Sequence, residues 1–273
     1  MTQASRIRVG VVQMTSTDDL SANLACAEQG VREAAQRGAR LIALPEMFPY
    51  LRREGAAFPC AQPIEGEILG RFRSLASTLQ AWILAGSIAE AIPGEARVYN
   101  TSVLISPRGA IEAAYRKLHL FDIDLASQGG GTYTESASVC AGAELVVAPT
   151  PFGGVGLSIC YDLRFPELYR TLSARGARFL SVPSAFTPET GTAHWEVLLR
   201  ARAIENQAFV IAAAQCGRHS GTRSSYGHSL IVDPWGTVLA ELADRPEVAV
   251  ADCDLAAQDR IRVNLPALRH RRL

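Results

Sequence analysis

GVGLSICYDLRFPELYR (154–170) is the stretch from which the rest of the chain can be read. Its first seven residues are small or apolar and end at Cys160, a run of strand length. The chain then turns polar at Tyr161, Asp162 and Arg164, and residues 166–175 read as a helix. Strand, turn and helix in succession form the unit of α/β folds. A cysteine after a strand is more often core than catalytic, so Cys160 stays open between the two. No histidine lies close in sequence to act as its base.

The same alternation runs outward in both directions. Towards the N-terminus, RVGVVQM (8–14) reads as a buried strand and 20–37 as a helix with Leu24, Val31 and Ala35 on its apolar face. LIALPE (41–46) is a strand stopped by Pro45, and 66–80 a second helix. WILAGSIAE (82–90) and NTSVLISP (100–107) are strands, and another begins near Ile111 after a turn at Pro107-Arg108-Gly109. Towards the C-terminus, ARFLSVPS (177–184) and FVIAAAQ (209–215) are strands around a helix over 192–206 that Thr192 is placed to cap. SLIVDPWGTVLAEL (229–242) gives two strands around an Asp-Pro-Trp-Gly turn, VAVADCD (248–254) a last strand, and 255–263 a short helix. The pattern predicts α/β architecture, and with no Pro/Gly/Ser linker it predicts one domain over 1–273. DLASQGGGTYTESA (124–137) is the most irregular segment, and loops of this kind often carry function.

The composition excludes several classes. Among 273 residues, 48% are hydrophobic and 20% charged, the balance of a globular protein with a full core. Lys plus Arg and Asp plus Glu are 27 each, so no nucleic-acid partner is expected; the basic RHRRL (269–273) reads as a solvated end. No apolar run approaches the roughly 20 residues of a membrane span, and MTQASRIRVG (1–10) lacks a signal-peptide core. The expectation is a cytoplasmic protein with no membrane partner. Six dispersed cysteines without a CxxC predict free thiols and neither a metal site nor a redox pair.

In open α/β sheets ligands bind beyond the carboxyl ends of strands. Glu46 follows LIALP, Cys160 follows GLSI, and Lys117 follows the strand that begins near Ile111. Each has a plain structural reading, as a cap or surface charge, a core thiol, or part of a solvated face beside Arg116 and His119. Together they have a chemistry. The thiolate is the nucleophile, a carboxylate can take the thiol proton as histidine does elsewhere, and an ammonium can face a developing oxyanion. Such a site needs neither metal nor cofactor.

ALPEMF (43–48), YRKLHLFDID (115–124) and GLSICYDLRFPELYR (156–170) resemble the three signature segments of the nitrilase superfamily, the carbon–nitrogen hydrolases. The resemblance covers the chain from about residue 7 to its C-terminus. It implies Glu46 as general base, Lys117 as oxyanion stabiliser, Cys160 as nucleophile and Glu135 as a second glutamate between Lys and Cys. The Tyr161 backbone N–H would share the oxyanion with Lys117. The resemblance also implies a four-layer α-β-β-α sandwich of the nitrilase type and a homodimer or higher homo-oligomer built by extending those layers.

Residues 183–242 resemble the Nit subgroup, with AAAQCGRH (212–219) and SYGHS (225–229) closer to the deaminated glutathione amidases than to the ω-amidases. The first hydrolyse deaminated glutathione to 2-oxoglutarate and cysteinylglycine; the second take 2-oxoglutaramate or 2-oxosuccinamate. Nitrilase or carbamoylase activity would use the same triad, and a catalytically silent binding or scaffold member is the alternative outside enzymes. The Gly129–Gly131 run departs from the usual pattern in a loop that borders the site. Arg164 is placed either to grip a substrate carboxylate or to pair with Asp162 or Glu167, and His194 and Trp195 either line the pocket or pack in the core. His219 and His228 read as structural, Cys216 as core or pocket wall, and Cys26 as core. GxSxG is absent, which excludes a serine hydrolase elbow, and GxxxxGK[ST] is absent, which excludes a P-loop.

Overall fold

A computed structural model describes residues 5–128 and 131–272. Gly129 and Gly130 of the triple-glycine run, residues 1–4 and Leu273 of RHRRL lie outside the described residues.

The first half runs β1 (Arg6–Gln13), α1 (Leu20–Gln36), β2 (Leu41–Ala43), α2 (Glu67–Leu79), β3 (Trp82–Leu84), β4 (Ile88–Ala91), β5 (Val98–Ile105), β6 (Ile111–Arg116), β7 (Asp122–Asp124), β8 (Thr132–Thr134) and β9 (Val139–Cys140). The second runs β10 (Val147–Ala148), β11 (Gly154–Leu157), α3 (Pro166–Ala174), β12 (Ala177–Ser181), α4 (Pro188–Asn206), β13 (Phe209–Ala212), β14 (Cys216–Arg218), β15 (Ser224–Tyr226), β16 (Leu230–Val232), β17 (Val238–Glu241), β18 (Glu247–Asp254) and α5 (Leu255–Asn264).

One sheet has the order β18-β1-β2-β3-β5-β4, with β6 and β9 also on β5; the other has the order β10-β11-β12-β13-β16-β17. Each contains a parallel trio, β1-β2-β3 and β11-β12-β13, whose strands are linked through the helices. The alternation within β1 shows how the sheets stack. Val9 and Val11 share a core with Val155, Leu157 and Phe179 of the second sheet, whereas Val12 packs with Ile42, Val31 of α1 and Phe72 of α2. Leu168 and Tyr169 of α3 and Leu199 of α4 close the second sheet from outside. The layers are therefore α-β-β-α, the sandwich that the signature segments imply.

Several local expectations change. The run 82–90 forms two strands, broken where Gly86 turns the chain with φ +34°. The helix expected over 192–206 begins at Pro188 with Thr187 as its cap, and Thr192 instead donates to the Pro188 carbonyl at 2.9 Å. Cys26 is exposed rather than core, because α1 buries Leu24, Ala27, Val31 and Ala34 and residue 26 lies off that stripe. The irregular loop holds the β7–β8 hairpin, paired from Asp122↔Thr134 to Asp124↔Thr132. Among the described residues, no helix is long and apolar enough to cross a membrane.

Candidate active site

Glu46 emerges where β2 ends and Leu44-Pro45 carry the chain past Gly86. A Cβ on Gly86 would stand 1.9 Å from the Pro45 carbonyl oxygen, so only glycine admits this approach. The Glu46 carboxylate is buried. Its Oε1 accepts from Asn100 Nδ2 at 2.9 Å and Lys117 Nζ at 3.3 Å, and its Oε2 accepts from the Ala185 N–H at 2.8 Å. Ala185 lies beyond β12, so one carboxylate touches segments from both sheets.

Lys117 follows β6, and its own N–H donates to the Asn100 carbonyl at 2.9 Å. Its ammonium is 2% exposed and donates to Glu135 Oε2 at 2.8 Å and Oε1 at 3.1 Å, besides Glu46. Glu135 is held in turn by the Phe121 N–H at 2.7 Å. The second glutamate of the family pattern thus sits on the lysine.

Cys160 opens a 3₁₀ turn over Cys160–Arg164 with φ +49°, and its N–H donates to the Pro183 carbonyl at 2.9 Å. The turn is fixed by Asp162, which is fully buried. Its Oδ2 accepts from the Ile159 N–H at 2.8 Å and the Tyr115 hydroxyl at 2.7 Å, and its Oδ1 from the His119 N–H at 3.1 Å, with His119 Nδ1 at 2.7 Å. Tyr115 is the penultimate residue of β6, two residues before Lys117. Asp162 therefore ties the cysteine turn to the lysine segment, with His119 stacked on Phe165 at 3.6 Å.

The charges settle one another. Burial alone would raise the Glu46 pKa, but Lys117, then Cys160 and Asn100, hold it below the ordinary value. Burial would lower that of Lys117, but Glu135 and Glu46 raise it well above normal. Burial and then Glu46 push the Cys160 thiol up, against the pull of Lys117. The resting site is a neutral thiol beside an ionised carboxylate and a charged lysine. A second anion on sulfur is unfavourable until the thiol proton moves to the carboxylate, so deprotonation is coupled to attack.

These groups share a cavity of about 880 Å³, its solvent-open mouth included. Tyr161 lines it, and the Tyr161 N–H belongs to the first turn of the 3₁₀ segment, where N–H groups lack intrahelical acceptors. Arg164 also lines it, its guanidinium 5.3 Å from the Phe186 ring and 3.2 Å from His194 Nδ1. Among the described residues Arg164 makes no ion pair with Asp162 or Glu167; Asp162 is committed elsewhere. His194 and Trp195 stand off the cavity. His194 is exposed, and Trp195 is buried against Phe186 with Nε1 donating to the His228 carbonyl at 2.7 Å. The earlier start of α4 puts Thr187 and Thr190 on the wall instead. His219 is structural, bridging the Ser16 carbonyl and the Ser225 hydroxyl, and burial lowers its pKa to about 4. His228 contacts Glu241 at 3.3 Å, and Cys216 is buried away from the cavity.

Sequence reasoning missed Asn100, Asp162 as a tie, and the cavity-lining Arg52 and Arg223. One signal was available for the site: Lys117 is the single lysine among 27 basic residues. Asn100 left a fainter one, a buried amide inside a strand of otherwise strand-forming residues. Among the described residues, no group of three or more His, Cys, Asp and Glu is disposed to hold a metal ion.

Residues 8–262 match the carbon–nitrogen hydrolase family. The deaminated glutathione amidase of Mus musculus is 45% identical over 269 residues, 97% of this chain and 83% of that protein. The deaminated glutathione amidase of Synechocystis sp. (strain PCC 6803 / GT-S) is 45% identical over 263 residues, covering 95% and 96%. The crystal structure of the C. elegans NitFhit protein superposes with a TM-score of 0.89 at 41% identity, covering 98% of this chain and 65% of the other, so this chain spans about two thirds of that protein.

Proposed function

The chain belongs to the carbon–nitrogen hydrolase family, and from that premise we propose that it hydrolyses deaminated glutathione to 2-oxoglutarate and cysteinylglycine through a thioester on Cys160. It is a hydrolase that acts on amides. The observation that carries the mechanism is the contact of Glu46 and Glu135 with the one buried ammonium, beside a buried thiol in the same cavity.

Glu46 takes the Cys160 proton as the sulfur attacks the scissile carbonyl. Lys117 and the Tyr161 N–H face the oxyanion. Collapse breaks the C–N bond, the amine leaves with the proton from Glu46, and the acyl group stays on sulfur as a thioester. Water then attacks the thioester, giving its proton to Glu46. The C–S bond breaks, the keto acid leaves, and Glu46 returns the proton to sulfur. Glu135 orients Lys117 and offsets its charge. Arg164, free of carboxylate partners among the described residues, is available to a substrate carboxylate in bidentate geometry.

Comparison of kcat/KM for deaminated glutathione and 2-oxoglutaramate tests the substrate. The reading expects the first to be preferred; equal or greater efficiency with 2-oxoglutaramate would replace it with an ω-amidase.

The chain acts as a single domain over 1–273, as a homodimer or higher homo-oligomer in the cytoplasm, on a small-molecule substrate without nucleic-acid or membrane partners. The zero net charge supports the partner reading, and the exposed Val197, Ile204 and Trp235 around the outer face of α4 support a dimer. Solution mass by light scattering checks the dimer.

A further inference from the structure

The proposed substrate carries an anion on each side of the bond that breaks. The acyl half ends in the α-keto carboxylate and the amine half in the glycine carboxylate. An ω-amidase substrate releases ammonia and has no anion on the amine side. A cavity built for the first needs a second cation position.

The cavity supplies one. Its cations are Arg52, Lys117, Arg164 and Arg223. Lys117 is committed to Glu46 and Glu135. Arg52 is pinned to the Ala56 carbonyl and, at 2.6 Å, to the Ser138 hydroxyl, over the Phe58 ring. Arg223 is different. Among the described residues its guanidinium makes only long contacts, to the Arg52 carbonyl at 3.5 Å and to the Glu54 carboxylate at 3.9 Å, and both the Arg223 and Glu54 side chains are partly exposed. Its backbone is nevertheless fixed, because its carbonyl accepts from the His219 N–H at 2.9 Å and His219 is itself buried.

Arg164 and Arg223 have different surroundings. Arg164 lies on the Cys160 turn against Tyr161, Phe186 and His194; Arg223 lies over Arg52 and Glu54. The order of the reaction assigns them. The amine half departs first while the acyl half stays bonded to Cys160, so the acyl half takes Arg164, which shares the turn of Cys160, and the amine half is left to Arg223, beside the half-exposed Glu54. Resting on the deaminated glutathione reading, we infer that Arg223 is a specificity-determining residue that binds the glycine carboxylate of the leaving group, while Arg164 faces the carboxylate of the acyl group.

The test uses two peptides that differ at one atom position: 2-oxoglutaryl-cysteinylglycine with a free C-terminal carboxylate, and the same peptide as its C-terminal carboxamide. Hydrogen bonds to charged groups predict that the wild type prefers the acid by about 10- to 100-fold in kcat/KM. Arg223→Gln lowers kcat/KM for the acid by about that factor and for the carboxamide by less than about threefold, so the preference collapses. The ratio is measured within one protein and does not depend on how much of the variant folds. A wild type that cleaves both peptides equally, or an Arg223→Gln variant that keeps the preference, overturns the inference and leaves the activity standing. A wild type that cleaves 2-oxoglutaramate but neither peptide overturns the activity as well.

Discussion

Cys160 and Cys216 are both buried thiols that follow apolar strands of the same sheet, β11 and β13, and burial raises the pKa of both, that of Cys216 to about 11. The difference lies in what the first sheet brings to each. Cys160 starts a 3₁₀ turn and meets Glu46 and Lys117. Cys216 sits in β14 opposite Tyr226, with Thr15 Oγ1 3.4 Å from its sulfur and its N–H donating to the Met14 carbonyl at 2.8 Å. A strand-end thiol becomes a candidate nucleophile only when a base and a cation arrive from elsewhere in the fold.

Exchanging the two cysteines for alanine tests this contrast most severely. Cys160→Ala loses at least ~10⁴-fold in kcat, as removal of a nucleophile does elsewhere, with an unchanged melting temperature. Cys216→Ala keeps kcat within about threefold and loses stability by about 1–2 kcal/mol from the lost buried packing. Intact-mass analysis during turnover finds the acyl adduct on Cys160. An adduct mapped to Cys216 breaks the comparison outright.

Next is the cation. Lys117→Ala lowers kcat by about 100- to 1000-fold if the lysine is an oxyanion donor. It also moves the pH profile. In the wild type Glu46 is held below its ordinary value of 4.5, so kcat/KM falls on the acid side only below that pH. Without Lys117, burial dominates and Glu46 protonates at higher pH, so the acid limb moves up. A variant whose rate falls but whose acid limb stays in place removes the electrostatic link between Lys117 and Glu46.

Asp162→Asn gives a smaller effect on rate and a clear one on stability. The carboxylate accepts from Ile159, Tyr115 and His119, and an amide turns a donor towards donors. The expected cost is about 2–4 kcal/mol by urea unfolding, with about a tenfold loss in kcat as the Cys160 turn loosens from the Lys117 segment. Thr15→Val, which removes the hydroxyl beside Cys216, leaves kcat alone. Equal stability in Asp162→Asn would show that the tie does not hold the turn.

The contrast also marks how far the sequence could be read. Residues 9–12 of β1, most of β11 and all of β13 are buried on both faces and so appear as unbroken apolar runs. Glu46, Lys117 and Cys160 stand out because each interrupts such a run or follows a strand with a polar group. The β7–β8 hairpin left no such mark: it is short, partly exposed and built from Asp and Thr. Cys26 was misplaced because the neighbouring alanines of α1 blur the boundary of the buried stripe. Asn100 and Asp162 are illegible for a different reason. Their roles depend on groups 35 to 54 and 43 to 47 residues away, and only packing makes those neighbours.

The mildest test concerns the Cys216 side, where titration belongs to stability rather than catalysis. His219 follows β14 and is held neutral between Ser16 and Ser225, with a folded pKa of about 4 against 6.5 for the free side chain. The unfolded chain takes up a proton as pH falls through 6.5, and the folded chain does so only near 4. Stability is therefore fully present above about pH 6.5 and is lost as pH falls from there to about 4, by up to about 3 kcal/mol. His219→Gln, which keeps a polar group between the same partners, flattens the dependence of the urea midpoint on pH across that window. Parallel midpoint curves for the two proteins would show that burial between Ser16 and Ser225 does not hold His219 neutral in the fold.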